Sequence, residues 1–217
     1  MAYNFPEGAK FLYSPLSGFA TAKNITAVSN ADPAVCTSAA HGYTTGKELL
    51  LQSNWEDMND LILRATNIDT NSFSLQDMDT SDQTFFSPGG GAGSSAQEVG
   101  TWFEIPQPLT IAFNGGDARF TNVNPLNKRN GLSIPTGFNP TSINLGIGHD
   151  PANTTFKSML KLSRSLKKVA FKLQMLTGAA SYGFGYMFVS EAPAMQQGQV
   201  NTVPVVFTLG GRMTSYG

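Results

Sequence analysis

What most constrains this 217-residue chain is how briefly any apolar stretch runs before Gly, Pro, Asn or Asp interrupts it. Glu98–Ile105, Leu109–Phe113, Arg119–Val123, Gly131–Ile134, Ser142–Ile147 and Thr202–Leu209 each have the length of a strand and lie between turn formers, a β signature. From Lys168 the period is two: Val169, Phe171, Leu173 and Met175 fall on one face, Ala170, Lys172 and Gln174 on the other. Gly178 then sits in a turn, Thr177–Ser181, that leads into Tyr182–Ser190 and makes a long hairpin. The 20 Thr, 19 Ser, 16 Asn, 22 Gly and 12 Pro agree, because these residues resist helix interiors or favour turns and strands. One segment departs. Phe156, Met159, Leu160 and Leu166 approach helical spacing behind Asn153 or Thr154 as N-cap, which predicts the one helix over 154–167.

Residues 10–22 read as an opening strand. Ile25–Val28, Pro33–Thr37, Glu48–Leu51, Leu61–Asn67 and Ser72–Leu75 read as a five-strand meander, and Pro88–Ser95 as a flexible Gly/Ser loop. Residues 47–82 hold eight of the 15 acids against Lys47 and Arg64 alone. The expected division is therefore 1–24 and 88–217 as one domain, interrupted by a small acidic β module at 25–87. The expected fold class is mostly β: two packed sheets, as a sandwich or partly open barrel, with one flanking helix.

Charge is scarce. The 13% of charged residues is half the usual share of roughly 25%, and the net charge is −1, so no nucleic-acid-coating role follows from the sum. A surface near neutrality favours self-association. The single Cys36 has no disulfide partner, Met1–Glu7 carry no secretory leader pattern, and no stretch approaches a membrane span, so a cytoplasmic, membrane-free chain is expected.

Motifs of catalysis are incomplete. His41 and His149, the two histidines, lie in turns without a recognisable nucleophile beside them. Gly42–Glu48 is a residue short of a phosphate loop and lacks Ser or Thr after Lys47. Asp77–Pro88 begins like a calcium loop but places Asp82 where Gly is needed and Pro88 where Glu is needed. Neither enzyme, metal site nor cofactor is expected. The strongest electrostatic feature is Lys157, Lys161, Arg164, Lys167, Lys168 and Lys172, six bases within 16 residues and no acid among them. Such a stretch is a solvated face, a docking surface for protein, or a contact for nucleic acid or membrane.

The order of short motifs resembles the tail tube proteins of long-tailed bacteriophages. These are Ala40–Gly46, Ser53-Asn54-Trp55, Asn71–Leu75 with Asp79-Thr80, Trp102, Gly115-Gly116-Asp117, Ile134-Pro135-Thr136, Asp150-Pro151 and the Tyr182-Gly183 hairpin ending near Ala192-Pro193. The pattern is similar to the tube of bacterial contractile secretion systems as well. The resemblance implies a structural virion protein, assembled in the host cytoplasm into stacked hexameric rings that carry double-stranded DNA in the tail. Its partners would be further copies of itself, a tape measure protein, a tail terminator and baseplate or tail-tip proteins.

Physical reasoning fits that use. Ring formation lets exposed sheet edges pair between copies. If, as the resemblance implies, six subunits supply four strands each, a spacing of about 4.8 Å and a tilt of about 40° give a backbone diameter near 48 Å. Side chains reduce the bore to about 40 Å, wide enough for a duplex. Bases lining it would hold phosphates, so few are expected there, with the basic helix outside or between rings. Lys157, Lys161, Arg164, Lys167 and Lys168 are the candidate docking residues, for the acidic module of a neighbouring subunit. The alternative from another class is a carbohydrate- or surface-binding module, which requires Trp55, Tyr43 and Trp102 to line one groove.

Overall fold

A computed structural model describes residues 8–217; Met1–Glu7, read above for a leader, lie outside the described residues. In chain order the strands are β1 (Lys10–Pro15), β2 (Lys23–Ile25), β3 (Ala27–Val28), β4 (Val35–Thr37), β5 (Glu48–Gln52), β6 (Leu61–Thr66), β7 (Ser72–Leu75), β8 (Ser94–Glu98) and β9 (Phe103–Glu104). They continue with β10 (Pro108–Asn114), β11 (Ala118–Val123), β12 (Leu132–Phe138) and β13 (Ser142–Gly148), then α1 (Thr154–Ser165), β14 (Lys168–Gln174), β15 (Ala180–Val189), β16 (Thr202–Leu209) and β17 (Thr214–Tyr216). Among the described residues the protein is mostly β with one α-helix, as the interrupted apolar runs predict.

Eight strands make one antiparallel sheet in the order β10-β13-β16-β15-β14-β1-β9, with β17 alongside β15. The sheet curls toward closure. Alternation places Val169, Phe171 and Leu173 of β14 with Ile143 and Leu145 of β13 and Val205 and Phe207 of β16 in one core. The Phe171 and Phe207 rings meet there at 4.8 Å. Helix α1 covers this core with Phe156 and Met159. Its N-cap is Asn153, whose side chain accepts from the Thr155 and Phe156 N–H groups. The helix stops at Ser165, and Leu166, expected on its apolar face, is a left-handed C-cap with its side chain in solvent.

Residues 23–98 form a second, seven-stranded sheet ordered β2-β8-β5-β6-β7-β4-β3. The five expected strand segments are present but do not run as a meander: only β5-β6-β7 follow one another, β4 pairs β7 in place of β5, and Ile25–Val28 is split between β2, which pairs β8, and β3, which pairs β4. The Gly/Ser run behaves differently from the flexible loop expected. Gly93 N–H donates to Ile25 O, and a Cβ on Gly91 would stand 2.9 Å from Trp55 and Val28, so the segment packs closely on Trp55. Ser94 and Ser95 then enter β8, which lies between β2 and β5, so this sheet runs on to Glu98, past the expected boundary at Ser87.

The second sheet packs on the outer face of β14 and β15, sharing a core with Ala170, Ala180, Tyr182 and Phe184. Polar contacts cross-link the two. Glu48 accepts from Lys172 Nζ at 2.8 Å, Tyr182 OH at 2.6 Å and the Trp102 indole N–H. Lys168 Nζ reaches Asp60 at 2.7 Å, and Arg64 donates to Tyr182 OH at 2.8 Å with its guanidinium over the Tyr216 ring. Among the described residues no helix is long and apolar enough to cross a membrane.

Candidate assembly surfaces

The alternation that buries one face of the large sheet leaves the other in solvent over four strands. Register puts Thr110, Ala112 and Asn114 of β10 beside Ser142, Asn144 and Gly146 of β13. These continue into Thr202, Pro204, Val206 and Thr208 of β16 and then Tyr186 and Phe188 of β15. Every one is at least partly exposed, whereas the alternate residues of β13, β15 and β16, such as Ile143, Val205, Phe207 and Met187, are buried. This face carries no Asp, Glu, Lys or Arg. It offers hydroxyls, amides and apolar groups to whatever lies in front of it, and no ammonium or guanidinium that would pair with a phosphate. Gly185 permits the close β15–β16 approach here, because a Cβ would lie 2.0 Å from Thr208 O.

The sheet borders β10, a seven-residue strand. Pro108-Leu109-Thr110-Ile111-Ala112-Phe113-Asn114 has no charge, and Leu109 and Phe113 are exposed. Edge strands of solitary proteins are blunted by lysines, bulges or covering loops. Apart from Pro108 and a register shift beside it, this edge is not. Next to it β11 and β12 pair only with each other, and Phe120, Val123, Leu126, Leu132, Ile134 and Phe138 are all exposed. A two-stranded hairpin with its apolar side chains in water is marginal alone, and contact with a partner would stabilise it.

The five candidate docking bases do not share one fate. Lys168 is consumed by Asp60 inside the chain, and Arg164 pairs with Glu191 at 2.7 Å, an ion pair that draws the Glu191 carboxyl below its ordinary value. Lys157, Lys161 and Lys167 are exposed on or beside α1 and have no ion pair among the described residues. Lys172, read with them as part of one basic stretch, belongs to the internal Glu48 network. That network also raises the Tyr182 phenol above its usual range, first by burial and then by its hydrogen bond to Glu48.

The aromatic groove required by the carbohydrate reading does not exist. Trp55 and Tyr43 are buried, Trp55 N–H donating to Ser87 O and Tyr43 OH to Ala96 O, and Trp102 is half-buried against Glu48. Their neighbours in sequence are polar and turn-forming, which is why they looked exposed. His41 is occupied by backbone: its Nε2 lies 2.8 Å from Asp69 O, and its Nδ1 accepts from Tyr43 N–H. His149 rests against the Phe156 ring. Cys36 is buried, which pushes its thiol up to about 12 and leaves it protonated and unreactive. In the calcium-like stretch, Asp79 and Asp82 accept the Ser81 and Thr84 N–H groups as turn caps, and no group of metal-ligating side chains occurs among the described residues.

The chain thus presents an uncharged bare sheet face, an unprotected edge and an exposed apolar arm. Residues 53–217 match the family described as phage tail tube protein, TTP, and the chain belongs to that family. It is a structural protein of the phage tail. No curated protein matches the chain. Among solved structures, it is similar to the tube-terminating cap of the anti-feeding prophage, with 14% identity over 52% of this chain and 81% of that one and a TM-score of 0.35.

Proposed function

We propose that copies of this chain pair through the β10 edge into hexameric rings, that the rings stack, and that the bare face of β10, β13, β16 and β15 lines the bore. The observation that carries this is the charge-free face lying beside an unprotected edge. Four strands per copy are also the number that six subunits need for a bore of about 40 Å, wide enough for a DNA duplex. Hydroxyls and amides there leave double-stranded DNA free to slide, since no counterions are exchanged for protein bases. The β11–β12 arm reaches a neighbouring copy and covers its apolar side chains there.

In this reading residues 8–22 and 99–217 supply the tube wall, and the acidic module at 23–98, which includes β8, is held to it through β14 and β15. The tape measure, terminator and baseplate or tail-tip proteins meet the tube in the virion tail, after assembly in the host cytoplasm. Negative-stain imaging of the purified chain at rising concentration tests the proposal. Rings or filaments with a continuous central channel are expected; monomers at every concentration, or compact oligomers without a channel, would overturn it.

A further inference from the structure

The near-neutral chain is two oppositely charged halves. Residues 23–98 carry ten carboxylates against three bases, net −7, while residues 8–22 and 99–217 carry four against eleven, net +7. Glu48–Lys172 and Asp60–Lys168 join the halves within the chain and leave most of the imbalance on the surface.

On the positive half, a groove of about 630 Å³ runs between α1 and the β1–β9 border. Tyr13, Pro15, Phe103 and Leu162 line it, with Tyr13 and Phe103 rings 5.7 Å apart, and Lys161 and Lys167 also line it. On the negative half, Phe85 stands 65% exposed. The turn that presents it is fixed, because Phe85 and Phe86 N–H both donate to Asp82 O, Asp82 caps the turn through Thr84 N–H, and the Phe86 ring packs on Trp55 at 5.2 Å. Asp77, Asp79 and Asp82 precede it in sequence.

We infer that Phe85 of one copy inserts into the α1–β9 groove of the next, with Asp79 and Asp82 facing Lys161 and Lys167. A preformed phenyl knob beside carboxylates complements an apolar groove that also carries ammonium groups, in both shape and charge. Within one chain the large sheet stands between them, since α1 packs on its inner face and the module on its outer face. The contact is therefore heterologous, the kind that closes rings or extends filaments. A second exposed apolar element, the β11–β12 arm, carries Lys128 and Arg129 in its connecting loop and would meet Lys161 and Lys167 with like charge.

The inference rests on the self-assembly proposed above, and two measurements separate them. In low salt, Asp79→Lys with Asp82→Lys, or Lys161→Glu with Lys167→Glu, should raise the concentration needed for assembly about tenfold. Combining all four should restore most of it, with melting temperature as the folding control. One-sided reversals that assemble like the wild-type chain, or a four-fold swap no better than either, would overturn the docking and leave the tube reading intact. Should the wild-type chain form no assembly, the tube reading fails, and Phe85→Cys with Phe103→Cys, oxidised with diamide, still reads the docking. A disulfide ladder beyond dimers is expected, because a head-to-tail pair propagates and Cys36 is buried. No ladder from that pair, or a ladder only from Leu126→Cys with Phe103→Cys, would overturn it.

Discussion

The module at 23–98 and the chain that follows it solve the same problem differently. Of the large apolar side chains left exposed among the described residues, Val35 and Phe85 belong to the module, whereas fifteen lie between Phe103 and Val200. The module is denser in charge and covered within the chain: Trp55, Phe73 and Phe86 lie in a core that Tyr182 and Phe184 of the large sheet complete, and its turns are capped by its own aspartates. Downstream, β10 and the β11–β12 arm hold strand geometry with no second layer over them. A region that buries its apolar surface within its own chain needs no second copy to cover it. A region that keeps it bare, in a chain with too little charge to repel its own copies, is completed by association.

The contrast breaks first at the edge strand. Leu109→Lys with Phe113→Lys places gatekeeper charges on β10 and should abolish ring formation, while the melting temperature moves by less than about 4 °C. Imaging beside a thermal melt checks both halves of that statement; rings that persist would mean the edge is not the seam. Next comes the join between the regions. Glu48→Ala leaves the half-buried Lys172 without its partner and should cost about 1–3 kcal/mol in urea unfolding, whereas Glu48→Leu with Lys172→Met should cost less. Equal losses would show that packing, and not the ionic network, holds the module.

Alkaline pH loads both regions, since burial raises Cys36 and Tyr43 in the module and Tyr13, Tyr182 and Tyr216 in the large sheet, and the thiol is the group that titrates first when unfolded. Burial pushes Cys36 from 9.0, and Tyr43 from 10.0, up to about 12, so the folded state favours their neutral forms. Their contribution is whole below pH 9 and is lost as pH rises toward 12. Urea midpoints measured from pH 7 to 11 should fall beyond 9, and Cys36→Ala should remove the earliest part of the fall. The smallest effect belongs to the helix: Asn153→Ala removes its N-cap and should cost about 1 kcal/mol in a thermal melt, with assembly unchanged.

Much of the fold is legible because strands leave a local record. The runs around Leu49, Leu63, Ile143 and Val205 form β5, β6, β13 and β16 close to where turn residues bound them, and Asn153 caps the helix it precedes. Strand β8 left no such record. Ser94-Ser95-Ala96-Gln97-Glu98 has one apolar side chain in its middle and becomes a strand because β2 and β5 hydrogen-bond it from both sides, a case where pairing overrides propensity. The basic stretch misled in a related way. Counting from Lys157 to Lys172 treats all six bases as one surface, but the period changes from 3.6 to two at Lys168, and the last two point into the module join.

The sequence alone determined that this protein is built of short strands with one capped helix, and that its surface is poor in charge, because periodicity, turn chemistry and composition act over a few residues. Which face of each strand is covered, which lysines are spent inside and which edge stays open were decided only by the tertiary structure. Alternation assigns side chains to two faces but carries no information about which face another layer will cover. Glu48 meets Lys172 across 124 positions of chain that no local pattern spans.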